Sequence, residues 1–94
     1  MTQTKERIDR GQGTGLGAPW HVIVLNDNHN TFEGVAAALS AVLPDVSFAQ
    51  GLAFANRIHT IGDAVVWSGH REVAEHYWSG LKRRGLTMAP LEQI

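Results

Sequence analysis

The chain has 94 residues, a formal net charge of −1, 44% hydrophobic and 18% charged residues, and no cysteine. That length suits one small domain with a compact core. The near-neutral balance gives no global field for nucleic acid or an anionic membrane, so neither partner is expected. The missing cysteine excludes disulfides, thiolate nucleophiles and cysteine zinc sites.

Residues 1–19 are polar, then glycine-rich, and close at Pro19. Gly11, Gly13, Gly15 and Gly17 alternate. That spacing fits neither a dinucleotide fingerprint nor a phosphate loop, so a flexible tail is predicted. Residues 1–10 carry no apolar stretch of the secretory kind. The longest mainly apolar run, residues 35–43, is too short for a bilayer. The expectation is a cytoplasmic protein.

Trp20–Leu25 is aromatic and β-branched and predicts a strand. Residues 26–30 are turn formers. Asn30 and Glu33 have capping-box spacing, which predicts a helix from near Thr31. Val35, Leu39, Val42 and Leu43 supply its apolar stripe, and Pro44 ends it. Ser47 and Gln50 repeat the box for a second helix with Phe48, Leu52, Ala55 and Ile58 on its apolar face and Gly62 just past its end. Residues 64–67 read as a second strand. Ser68-Gly69 then opens a third helix with Val73, Tyr77 and Leu81 on one face. Lys82, Arg83 and Arg84 occupy its last turn, where cations complement the helix dipole, and Gly85 stops it. Residues 86–91 form a final strand, at an edge because Pro90 cannot donate to a ladder. The order β-α-α-β-α-β implies an α+β sandwich, a three-stranded antiparallel sheet covered on one face by three helices over residues 20–94.

Asn26 and Asp27 lie where the first strand ends. Turn chemistry is the ordinary role of these residues there. The alternative is a carboxylate and an amide oxygen facing a cation, where a hydrogen bond to the charged group contributes about 1.5–3 kcal/mol. His59 follows Ile58 near the end of the second helix. It is either an exposed histidine or a ligand whose neutral ring accepts one hydrogen bond and donates another. No two of the five histidines sit four apart on one helix, and no carboxylate completes a metal pattern, so no metal or other cofactor is expected. Ser40, Ser47, Ser68 and Ser79 lack a base and an orienting acid nearby in sequence, so no catalysis is expected. Tyr77 and Trp78 are adjacent and cannot both face one core. Together Asn26, Asp27, Ile58 and His59 describe a shallow apolar pocket with a small acidic mouth, suited to a charged amine beside a bulky side chain.

Several segments resemble the ClpS family of protease adaptors: Val22-Ile-Val-Leu-Asn-Asp27, Phe32-Glu33 with Val35, Ile58-His59 followed by Gly62, Glu72-Val-Ala-Glu75, and Pro90-Leu-Glu92. The resemblance runs from about Trp20 to Gln93. It implies an adaptor, not an enzyme, that binds proteins beginning with Leu, Phe, Tyr or Trp and hands them to a ClpA- or ClpC-type AAA+ unfoldase. By the same resemblance, Asn26, Asp27 and His59 hold the free α-amino group. Val24, Phe32, Val35, Ala55 and Ile58 line the side-chain pocket, and His29 and Glu72 lie on the face that docks the unfoldase. The chain departs from the family at Asn28, usually Asp, at His29, usually another aromatic, and at Tyr77, usually Lys. Phe32 and Ala55 fall where Met is common, which implies a reshaped pocket. A monomer is expected. The alternative reading is a ClpS-fold interaction domain with lost or altered N-degron binding.

Overall fold

The computed structural model describes residues 17–93, so nearly all of the tail expected over residues 1–19 lies outside the described residues. The elements run β1 (Trp20–Leu25), α1 (Phe32–Val42), α2 (Phe48–Ile61), β2 (Asp63–Gly69), α3 (Arg71–Arg83) and β3 (Glu92–Gln93). The strands form one antiparallel sheet in the order β2-β1-β3. Val22 and Val24 of β1 and Ala64 and Val66 of β2 point under the helices and are buried. Val65, beside Ile23 on the other face, is 48% exposed. The pairing slips between Val22 and Ile23, so Val66 is an inserted bulge residue. This puts Trp67 on the helix side, where its ring meets Tyr77 edge-on at 5.0 Å.

Several local expectations are corrected. Thr31, not Asn30, caps α1: its hydroxyl accepts the Gly34 N–H at 2.9 Å. Asn30 is drawn away by longer-range partners, and no capping box with Glu33 forms. Ser47 and Gln50 do form theirs, and Gly62 closes α2 in the left-handed region at φ 111. β2 runs on through Ser68 and Gly69, so α3 starts after His70, which makes no side-chain cap. Phe48 and Val73 are not core residues, at 47% and 38% exposed. Each sits in the first turn of its helix, and Ala74 takes the buried place on α3. The final strand is broken. Leu25 N–H donates to Thr87 O and Ala89 N–H to Ile23 O, before Pro90 interrupts and β3 resumes at the sheet edge. Trp78 turns down onto this segment and donates its indole N–H to Ala89 O at 2.7 Å.

The core centres on Val22, Val24, Leu39, Leu43 and Leu81. α1 and α2 touch backbone to backbone at Gly51, where a Cβ would lie 2.8 Å from Ala36 Cα. Gly51→Ala gains up to about 1 kcal/mol of helix propensity. The clash is with backbone, which cannot rotate away, and overpacking of this kind costs about 1–3 kcal/mol. Gly51→Ala is therefore expected to lower the urea midpoint, and a raised midpoint would show that the helices can part at no cost.

The loop after β1 is held by one carboxylate. Asp27 Oδ1 accepts the backbone N–H groups of His29 (3.1 Å) and Asn30 (2.8 Å). Its Oδ2 accepts Asn30 Nδ2 (2.6 Å) and the Thr87 hydroxyl (2.8 Å). Asn30 Nδ2 also donates to Gly85 O at 2.9 Å, which fastens the loop to the end of α3. Burial pushes the Asp27 carboxyl up, but the donors of Asn30, Thr87 and His29 outweigh it and hold the group well below the usual carboxylate range. A depressed folded pKa gives stability that is present above the unfolded value, about 3.9, and is lost as pH falls towards the folded one. Asp27→Asn is expected to cost about 2 kcal/mol near neutral pH. At about pH 3 the gap to wild type should narrow by about 1 kcal/mol in urea titrations. An unchanged gap would remove the ionised carboxylate as its cause.

Candidate functional site

The end of β1 is tied to the end of α2. Asn26 N–H donates to Gly62 O, and Gly62 N–H in turn donates to Ile58 O, both at 2.9 Å. The last turn of α2 therefore lies against the strand end. Ile58 is 3% exposed and points into the core. His59, about 100° further round the helix, stands exposed at the surface beside Asn26. Ala55 lies one turn earlier on the Ile58 side. α1 contributes Phe32 and Val35 from its first turn.

These residues enclose one small crevice. Val24, Val35, Ala55 and Ile58 form its apolar walls, with Asn26, Asp27 and His59 at the mouth. The fold thus brings together all eight residues expected for the amine and side-chain positions. Its free volume is about 20 Å³, room for about one water. Phe32 lines it as well: the residue is 38% exposed, and its ring meets His59 edge-on, with centroids 5.4 Å apart.

The polar groups differ in availability. Asp27 already accepts from four donors, close to the capacity of a carboxylate. It keeps its negative charge at the mouth with no lone pair in reserve. The Asn26 amide and the His59 ring nitrogens have no hydrogen-bond partner among the described residues. They are the free acceptors.

His29 and Glu72 are not brought together. His29 follows the Leu25 end of β1, and its side chain is 75% exposed. Its Nε2 is 3.8 Å from Asp27 Oδ2, too long for a hydrogen bond. Glu72 is in the first turn of α3, beside Trp20 and Gly69 at the opposite end of β1. It borders an open hollow of about 570 Å³ in which Arg71 stacks over Trp20 at 5.0 Å. Tyr77 is held between Trp67 and His76.

Four lining residues escape sequence reasoning: Leu25, Asn30, Leu86 and Thr87. Asn30 offers a capping signal that points elsewhere. Thr87 is 60 residues from Asp27, and nothing in its neighbourhood marks it as a partner. The stop at Gly85, with φ 93, is the one local sign that Leu86 turns inward.

The family described as ATP-dependent Clp protease adaptor protein ClpS matches residues 17–92. The Clp protease adapter ClpS of Thermosynechococcus vestitus is 48% identical over 73 residues, 78% of this chain and 78% of its own. That of a Nostoc species is 47% identical over 73 residues, 78% of this chain and 75% of its own. Among solved structures, Agrobacterium tumefaciens ClpS2 bound to L-phenylalaninamide aligns with a TM-score of 0.73 at 27% identity, covering 83% of this chain and 99% of that one. No helix among the described residues is long and apolar enough to cross a membrane. Matched along nearly the whole described fold, the chain belongs to the ClpS family of Clp protease adaptors.

Proposed function

We propose that the crevice receives the first residue of a substrate protein and presents it to a ClpA- or ClpC-type AAA+ unfoldase, with the adaptor acting as a cytoplasmic monomer. The free α-ammonium sits between Asn26 and His59. A Leu, Phe, Tyr or Trp side chain enters among Val24, Val35, Ala55 and Ile58. The carrying observation is the pair of unpartnered acceptors at the rim of an apolar crevice, above a carboxylate whose charge is fixed by its own donors. An ammonium supplies three donors and a positive charge. Asn26 and His59 accept two of the hydrogens, and Asp27 contributes field rather than a free lone pair. Acetylation removes the charge and leaves the acceptors facing an amide. Burial of a Leu or Phe side chain contributes about 1.5–3 kcal/mol more. L-phenylalaninamide, the ligand of the Agrobacterium neighbour, joins a free amine to an aromatic side chain, the same two features.

Entry requires Phe32 to move, since the closed crevice has room for about one water. Its ring swings outward into solvent, away from His59, and then covers the bound side chain as an added wall. Bulk at this position penalises residues branched at Cβ, whose width lies close to the backbone. Glu72 docks the unfoldase from the exposed first turn of α3, one strand length from the mouth. His29 meets the unfoldase from the mouth side.

Fluorescence anisotropy with peptides beginning Leu, Phe, Tyr, Trp, Ile or Ala, each free and acetylated, tests the reading. Free bulky N-termini should bind, and acetylation should cost at least about 2 kcal/mol. Asn26→Ala and His59→Ala should each weaken binding by about 1–2 kcal/mol while leaving the urea midpoint near wild type. Equal affinity for free and acetylated peptides would sink the proposal and favour an interaction domain without degron recognition. Phe32→Ala is expected to raise the affinity of Ile-initiated peptides relative to Leu. An unchanged Ile-to-Leu ratio would show that Phe32 does not govern entry.

A further inference from the structure

A second concave surface lies between α1 and the C-terminal half of α3, away from the crevice. His76, Gly80 and Arg83 are spaced four and three apart and share one helical face, and Arg84 caps the same end. With Ala41 and Val42 they line a groove of about 430 Å³. Gly80 makes the groove possible: a Cβ there would lie 3.1 Å from Val42 Cγ1 and would fill its floor. The floor is apolar and the walls are cationic.

No carboxylate lines the groove. Arg83 and Arg84 have no ion-pair or hydrogen-bond partner among the described residues. The third cation of the run is used differently, because Lys82 Nζ lies 5.7 Å from the centre of the Trp78 ring. The helix dipole favours cations at this end of α3. It does not account for two unpaired guanidinium forks beside an apolar floor on a chain whose formal net charge is −1.

We infer that this groove is a docking site for a short acidic segment of a partner protein, with an apolar side chain seated on Ala41, Val42 and Gly80 and flanking carboxylates held by Arg83 and Arg84. Guanidinium groups hold carboxylates with two parallel hydrogen bonds, which gives orientation as well as attraction. Charge complementarity favours a peptide over RNA. A nucleic-acid strand needs a basic track, and α3 carries Glu72 and Glu75 at its other end. The site is independent of the degron crevice.

The test is an NMR titration of the ¹⁵N-labelled full chain with acetyl-Asp-Glu-Leu-Glu-Asp-amide, whose blocked end cannot use the amine site. Saturable shifts at Ala41, Val42, His76, Gly80 and Arg83 are expected, with a dissociation constant of about 1 mM or tighter. The double variant Arg83→Gln/Arg84→Gln should weaken binding about tenfold. Ala41→Glu, at an exposed position, should do the same by placing a like charge in the groove. A matching Lys-Lys-Leu-Lys-Lys peptide should give no saturable shift. Shifts that fail to saturate, that scatter over the surface, or that survive both variants overturn the proposal. Tighter binding of a ten-nucleotide poly(U) strand at the same residues would also overturn it, in favour of RNA.

Discussion

One carboxylate holds the strand end, the loop and the C-terminal segment in a single arrangement. Asp27 collects two backbone N–H groups from its own loop, the Asn30 amide and the Thr87 hydroxyl. The loop carries no apolar residue that could anchor it by burial, since residues 26–30 are Asn, Asp, Asn, His and Asn. A charge with four donors replaces the missing core. The same network keeps the carboxylate ionised, so the device that shapes the mouth also gives it its sign. With its lone pairs taken by these donors, Asp27 leaves the Asn26 amide and the His59 ring as the unpartnered acceptors beside it among the described residues.

The precision of the mouth depends on α2. Its start is fixed by the Ser47–Gln50 capping box and its end by Gly62 in the left-handed region. Its first turn is pressed on Ala36 at Gly51, with no room for a side chain. A helix fixed at both ends and at the crossing cannot slide. Ile58 and His59 are therefore delivered at a defined height beside Asn26, one facing inward and one outward. The tie from Asn26 N–H to Gly62 O completes the frame.

Phe32 stands at the edge of the crevice, with 38% of its surface exposed. Its ring lines the same crevice as Val35 and Ile58 and meets His59 edge-on. An apolar pocket left open would expose surface of the kind that promotes unwanted association. The rim of the crevice and the first turn of α3 lie at opposite ends of β1.

Much was legible in the sequence, because local patterns carry it. β1, the capping box of α2, the Gly62 stop and the burial of Val35, Leu39, Ala55 and Ile58 follow from periodicity and capping chemistry, which depend on near neighbours. The position of Asn26 and Asp27 at a strand end, and of His59 after Ile58, was equally readable, and family resemblance joined them. Other features depended on distant partners. Asn30 has sound capping spacing, yet a carboxylate and the carbonyl of Gly85, 55 residues away, take its amide and leave the cap to Thr31. Phe48 and Val73 have helical spacing suited to a core, but only the packing of the folded chain decides that they face solvent. The bulge at Val66, the saturation of Asp27 by Thr87 and the contact of Phe32 with His59 are likewise tertiary facts. A sequence states which groups can donate, accept or bury, whereas the folded chain decides which partner reaches each group first.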